Sequence, residues 1–499
     1  MNLDYSLLIP EYLLAALAAV VVALGLYDPR RARTYLPYVS AAGLGGILVV
    51  SLFYVNKGPL DFAGLVQVDN YTTFFRVLFI SITAVVCLAS AHFVRANLRN
   101  AGEYYGLLIL STIGAIYMAA ARDLIAAYVS LELLSFSLYV LVSFAKLDAK
   151  SNEGGMKYML LGAFSSALFL YGLSLIYGVA GSTSYVDINA AFSAGVSSFG
   201  PAMLVGLVLV IAGIGFKVSA VPFHMWAPDA YEGAPLPITA YLSAASKAAG
   251  IALLLRLFTE AFLPVLGDWQ WMIAALAAAS MTLGNLVAIQ QHNIKRLLAY
   301  SSIGQAGFML MGIAALSQAT ASTLVLHMTG YIITNLAAFA AVIAFYNATG
   351  KDEIEDFRGL AERAPFLALS LTIALFSLAG MPLFAGFATK FLLFQAVAKE
   401  GFLWLAALAV VNSLISLYYY LLVIRQMYVG EAEDKLRLRV PAGVNAVILA
   451  LVIGVFVVGL YPQPLFKATD SAVHAVFPTS TTQQPGGGGP ASTVSLGDR

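Results

Sequence analysis

At 499 residues, 60% hydrophobic and only 11% charged, the chain carries less than half the charge of a soluble domain, where roughly 25% of residues are charged. That excludes water as the solvent for most of its surface, and a net charge of +1 leaves no global field to hold nucleic acid. The single cysteine, Cys87, lies inside an apolar run, which excludes a disulfide, iron-sulfur or cysteine-zinc site built from this chain alone.

Apolar runs of roughly 20 residues, the length that crosses a bilayer, recur along the chain. The first, 7–26, lacks a basic stretch before it, and Asp4 and Glu11 precede or interrupt it. It therefore reads as a retained helix and not a cleaved signal peptide. Further runs fall at 36–55, 73–94, 104–121, 123–145, 157–179, 201–224, 235–259, 269–291, 297–317, 320–347, 365–397, 401–428 and 440–461. The expected fold is all-α and integral to the membrane, with about fourteen transmembrane helices in a single domain over 1–461. Residues 462–499 are polar and end in QQPGGGGPASTVS before the last residues, a composition that buries no core and predicts a disordered tail.

An even number of spans places both termini on one side. With the N-terminus outside, 17 of the 27 Lys and Arg fall in inner loops and helix ends and 7 in outer ones. The excess of cations predicts that both termini face outward. The remaining three, Lys217, Lys247 and Lys390, lie within spans.

Two spans contain a proline: the seventh at Pro222 in GFKVSAVPFHMW, and the twelfth at Pro382 in AGMPLFAGFATKF. Proline removes a helix donor and frees carbonyls, which membrane helices tolerate where they face protein or water. Lys217 precedes its proline and Lys390 follows its own. Spans five apart run in opposite directions, so this mirrored order predicts two inverted five-helix repeats, about 104–259 (spans 4–8) and 269–428 (spans 9–13).

A charge at mid-bilayer costs about 2.5 to 3.5 kcal/mol on insertion scales, so each must face the interior. Glu132 sits mid-span in AAYVSLELLSFSLYVL, and Lys247 at the centre of ITAYLSAASKAAGIALLLR. A Glu132 to Lys217 pair lowers the insertion cost of both, which predicts that they are neighbours. Lys390 and His327, the latter in TLVLHMTGYIITN, complete a candidate proton relay of Glu132, Lys217, Lys247, His327 and Lys390. Burial and nearby cations loosen a lysine's hold on its proton, whereas an approaching carboxylate tightens it. Movement or neutralisation of one member thus alters its neighbour. The inner loop FHMWAPDAYEGAPLP adds His224, Asp229 and Glu232 as candidates for gating proton entry, or as simple solvated acids. Metal transport calls for more oxygen or imidazole ligands than these spans offer, and GIGFKV lacks the strand and third glycine of a dinucleotide site.

The stretches SLELLSFSLYVL, KYMLLGAFSSALFLYG, GFKVSAVPFHMWAPDAYEGAPLPITAYLSAASKAAG and NIKRLLAYSSIGQAGFMLMG resemble the antiporter-like membrane subunits of respiratory complex I, the NADH-quinone oxidoreductase. The resemblance covers about Leu7 to Tyr461. It implies fourteen helices in two inverted repeats and a translocase subunit that couples electron transfer in partner subunits to proton pumping. It also implies a Glu132–Lys217 pair, Lys247 as the central proton-carrying lysine, Lys390 as the terminal residue, Lys157 as a further family lysine, and His327 as a bridge. By that likeness FMN, iron-sulfur clusters and quinone belong to partner subunits of the membrane and hydrophilic arms, and this chain holds no cofactor. The membrane implied is a bacterial inner membrane. Multisubunit cation/proton antiporters and membrane-bound hydrogenase-type complexes share parts of the scaffold and form the alternative reading.

Overall fold

The structure is a computed structural model that describes residues 4–195, 200–431 and 436–477. In chain order the helices are α1 Ile9–Tyr27, α2 Pro29–Leu52, α3 Asn70–Asn97, α4 Ala101–Ala120, α5 Leu124–Val142, α6 Ala149–Ala180, α7 Tyr185–Ser193, α8 Gly200–Val218 and α9 Trp226–Gly233. They continue as α10 Leu236–Glu260, α11 Leu266–Ala288, α12 Ile294–Ala314, α13 Gln318–Thr349, α14 Pro365–Ala379, α15 Ala385–Lys399, α16 Leu403–Val429, α17 Ala442–Leu460 and α18 Gln463–His474. A small antiparallel hairpin, β1 Leu60–Phe62 and β2 Val66–Val68, pairs Leu60 with Val68 in the loop after α2.

Thirteen helices among the described residues are long and apolar enough to cross a bilayer. The short helices α14 and α15 follow one another and together fill the run expected at 365–397. Every run expected from the sequence carries helix. Some limits move: the sixth span begins at Ala149, and the seventh ends at Val218, ahead of Pro222.

The scarce acids explain where helices start. Asp28, Asp69, Asp123 and Asp148 each accept a backbone N–H from the first turn of α2, α3, α5 and α6, and Asn293 does so for α12. Four orphan donors open every helix, and a side-chain oxygen at the cap satisfies some of them. Residues that interrupt the apolar pattern therefore delimit the spans.

Hydrogen bonds sort the connections onto two faces. On the near face, which holds the N-terminus, Val66 bridges Ala121, Asp123 bridges Ser184, Arg122 pairs with Glu260, and Asn70 donates to Ser471. On the far face, Lys150 pairs with Glu232, Lys157 with Asp229, Arg296 with both acids, and Asn293 bridges Glu353. These are the groupings that fourteen alternating spans require.

The same local device occurs on both faces. On the near face the Leu124 amide donates to the Thr183 carbonyl at 2.9 Å and the Tyr185 amide to Arg122 at 3.0 Å. On the far face Ile294 donates to Asp352 at 3.0 Å and Ile354 to His292 at 2.7 Å. Each set ties a capped helix, α5 or α12, to the segment after a 32-residue helix, α6 or α13, which ends on a glycine at φ +73°. Helices α8 and α14 likewise each end at a left-handed residue, Ser219 (φ +64°) and Gly380 (φ +89°).

One expectation is corrected. The chain does not turn into a disordered tail at Tyr461: α18 follows, with Thr469, Ala472 and Val473 buried. It packs against α3 and α13, and Ser322 donates to Asp470 at 2.8 Å. Burial of that apolar stripe outweighs the polar composition around it. The expected tail beyond residue 477 lies outside the described residues.

Between α1 and α3, Arg76 and Glu11 form a buried pair at 2.7 Å. Removing one partner strands the other charge. Arg76→Leu is therefore expected to destabilise the chain by about 3–5 kcal/mol, and Glu11→Leu/Arg76→Leu to recover most of that loss, as read by thermal unfolding of the purified protein in detergent.

Candidate functional site

Both interrupted spans expose carbonyls that a continuous helix would have used. At the end of α8 the Phe216 carbonyl accepts the Trp226 indole N–H at 2.9 Å, and Gly215 accepts the Ala220 amide at 2.7 Å. At the end of α14 the Leu378 carbonyl accepts from the Lys390 ammonium at 2.7 Å and from Gln305 at 3.2 Å. The negative end of the α14 dipole thus lies beside a cation. Ser413 caps the neighbouring Ala379 carbonyl at 2.9 Å and accepts from Lys390 at 3.3 Å.

Lys217, Lys247 and Lys390 are 2%, 1% and 4% exposed. Among the described residues none has a carboxylate within the 4.0 Å of an ion pair. Neutral oxygens hold them instead. Lys217 donates to Ser135 at 2.9 Å and to Tyr158 at 3.5 Å, and Lys247 donates to the Ser302 carbonyl at 2.8 Å. The Lys390 ammonium also lies 4.9 Å from the centre of the Phe308 ring, within cation–π reach.

Lys247 directly follows a π-helical turn, Leu242–Ser246, inside α10. A π turn displaces backbone acceptors from their usual partners and is frequent at functional positions. Here the Ser243 carbonyl accepts the Tyr331 hydroxyl at 3.3 Å, and the Ser243 side chain accepts from Asn335 at 2.5 Å. Gly250, one turn past Lys247, lets α8 approach: a Cβ there would lie 3.5 Å from Cγ of Lys217 and 2.7 Å from Val218.

Two helices connect the lysines. On α12, Ser302 holds Lys247, and Gln305, three residues on, shares the Leu378 carbonyl with Lys390. On α13, Tyr331 and Asn335 touch the π turn, and His327, one turn earlier, meets Thr389 through Nδ1 at 3.1 Å. The other ring nitrogen of His327 is buried with no hydrogen-bond partner among the described residues. His327 thus stands between the Lys247 and Lys390 helices, within electrostatic reach of Lys390 and hydrogen-bonded to neither lysine.

Glu132 and Lys217 lie within electrostatic reach of one another but not in direct contact. The Glu132 carboxylate accepts from Ser166 on α6 and forms no ion pair with Lys217. Ser135, one turn after Glu132 on α5, is the group that holds the lysine. Glu132 is only half-buried, on a face of α5 that also exposes Val129 and Phe136.

The loop candidates divide. Asp229 joins Lys157 and Arg296, and Glu232 joins Lys150 and Arg296, at 2.7 to 2.9 Å. Lys295 adds a bond to the Glu232 carbonyl at 2.5 Å. Burial pushes both carboxyls up, but hydrogen bonds from Lys157 and Arg296 to Asp229, and from Lys150 and Arg296 to Glu232, bring each below the usual carboxylate range. His224 lies apart, half-buried in the turn at Pro222. Sequence reasoning missed Ser166, Ser302, Gln305 and Thr389, whose side chains or carbonyls matter only through contacts between distant helices. It also missed Arg256, which binds Asp69 and Glu260 at the near face, having counted it as an outer helix end.

A multi-pass helical bundle whose two interrupted spans flank a row of buried cations has the build of a membrane ion translocator. A family model described as the transmembrane region of NADH:quinone oxidoreductase and Mrp antiporters matches residues 121–416. The chain belongs to this family, as an antiporter-like membrane subunit and part of a multisubunit membrane assembly. It is 44% identical to NADH-quinone oxidoreductase subunit N of Moorella thermoacetica over 95% of this chain and 100% of that one. With subunit N of Heliobacterium modesticaldum it shares 41% identity over the same proportions. Among solved structures it matches a chain of respiratory complex I from Thermus thermophilus, with a TM-score of 0.78 and 30% identity over 93% of this chain and all of that one.

At the second break, a Cβ on Gly386 would stand 1.7 Å from the Ser377 carbonyl oxygen. Gly386→Ala is expected to push α15 from α14 and cost about 2–3 kcal/mol or more, read as a lower melting temperature and lost assembly. A second expectation concerns pH. Carboxyls held below their unfolded values stabilise the chain at neutral pH, and that stabilisation fades as pH falls through the depressed values. Melting temperature should therefore drop on the acid side of about pH 4, and Asp229→Asn/Glu232→Gln should lower it at pH 7 while flattening that acid limb.

Proposed function

We propose that this chain translocates protons through the row Glu132, Lys217, Lys247, His327 and Lys390, driven by electron transfer from NADH to quinone in partner subunits. The observation that carries the reading is the three lysines buried without a carboxylate of the described residues in contact. A permanently charged ammonium is expensive at that depth, whereas a lysine that gains and loses a proton with a neighbour's charge makes a relay. Serine and tyrosine hydroxyls beside Lys217, the Ser302 carbonyl at Lys247, and the hydroxyl of Thr389 at His327 supply polar stepping points.

In this reading the matched devices on opposite faces reflect two inverted halves, each with an interrupted helix giving water access from one side. The far face, with its clustered cations, is cytoplasmic, and both termini are periplasmic in a bacterial inner membrane. Lys157, Asp229, Glu232 and Arg296 form a latch at the far-face entry, with His224 beside the break as a further proton carrier. FMN, iron-sulfur clusters and quinone sit in the partner subunits of the redox arm and its membrane junction.

The test is purification of the tagged native chain from its own membranes. Co-purification with flavin- and iron-sulfur-bearing subunits is expected. A chain that instead comes away alone and exchanges sodium for protons in liposomes would overturn the reading. Within the assembled complex, Glu132→Gln is expected to lower NADH-driven proton translocation while leaving NADH oxidation by an artificial water-soluble acceptor unchanged.

A further inference from the structure

A groove of about 570 Å³ opens on the far face between the start of α2, the end of α3 and the start of α17. Arg33, His92 and Arg95 line it together with Thr34 and Tyr38, and Leu88, Val444 and Val447 contribute apolar side chains. No carboxylate is among its lining residues. Neither arginine forms an ion pair among the described residues, although Arg31 close by pairs with Asp28. The Nε of Arg33 is buried and donates to no group among them. A buried guanidinium donor without an acceptor costs free energy, so the site as it stands is incomplete.

We propose that this groove binds one anionic phospholipid. Its phosphate accepts from the guanidinium groups of Arg33 and Arg95, with His92 and Tyr38 at the rim, and an acyl chain lies along Leu88, Val444 and Val447. The pairing follows from the chemistry of the lining: unpaired cations at a span end beside an apolar slot between helices fit a molecule that is anionic at one end and hydrocarbon at the other. The large near-face cavity makes the contrast. Asp69 and Glu260 line it beside Arg122, so its charges are already matched. The bound lipid would join α17 to α2 and α3 on the flank of the bundle.

The experiment takes the assembled complex, delipidates it, and reconstitutes it with either dioleoyl phosphatidylglycerol or dioleoyl phosphatidylcholine, counting retained lipids by native mass spectrometry. Each arginine near an anionic headgroup is worth about a fivefold change in affinity. Arg33→Gln/Arg95→Gln should therefore weaken retention of one phosphatidylglycerol roughly twenty-five-fold, with phosphatidylcholine held weakly by both forms and Arg31→Gln without effect. Should the double variant fail to assemble, Val447→Trp, which fills the apolar slot and keeps both arginines, must displace the same lipid. An unchanged phosphatidylglycerol count in whichever variant assembles overturns the proposal. So does equal retention of phosphatidylcholine, displacement by millimolar inorganic phosphate alone, or an Ala446→Cys variant whose photocrosslinker captures a neighbouring protein subunit instead of lipid.

Discussion

Three ammonium groups sit in the low-dielectric centre of this chain with no carboxylate of the described residues in contact, and the surrounding structure is arranged to make that tolerable. A buried charge without a partner costs several kcal/mol, which is comparable with a substantial part of a protein's net stability. The offset here comes from dipoles. The Leu378 carbonyl is available to Lys390 only because α14 stops at Ala379, and the Ser302 carbonyl is aimed at Lys247 across the α10–α12 contact. Such dipoles stabilise an ammonium less than a carboxylate would. They leave its charge open to influence from a neighbour, which is the property a relay requires.

The spacing of polar groups on the helices follows from the same constraint. Helix α5 places Glu132 and Ser135 nine and twelve residues after its cap Asp123, and α12 places Ser302 and Gln305 at the same intervals after Asn293. On α5 Ser135 holds Lys217, and on α12 the Ser302 carbonyl holds Lys247 while Gln305 meets the carbonyl that Lys390 uses. Beneath them, at the far face, Arg296 of α12 grips both acids of α9 while Lys150 and Lys157 of α6 hold the same acids from the other side. The two stretches of the chain are thereby joined by charge where the first interrupted helix reaches the surface.

Much of this was legible in the sequence. Run length and composition place the fourteen segments, because a bilayer fixes both, and Pro222 and Pro382 mark the breaks because no proline can complete a helix ladder. Buried lysines stand out against an apolar background. Their partners do not: a serine at position 302 looks like any membrane serine, and its backbone carbonyl has no sequence signature. The separation of Glu132 from Lys217 was hidden for the same reason, since insertion cost favours proximity but does not choose between contact and electrostatic reach. Helix α18 carried a weak signal in the spacing of Thr469 and Val473, masked by the glycine- and proline-rich stretch beyond. The Arg76–Glu11 pair escaped because each residue, taken alone, resembles a helix end at the interface.

The most direct measurement counts protons moved per electron by the assembled complex in sealed vesicles when Lys247 is replaced by alanine, with assembly verified by subunit content. If protons pass through Lys247, the ratio must fall, or turnover must slow until the ratio can no longer be sustained. An assembled Lys247→Ala complex that turns over at the normal rate and pumps the full number of protons per electron would contradict the relay at its centre.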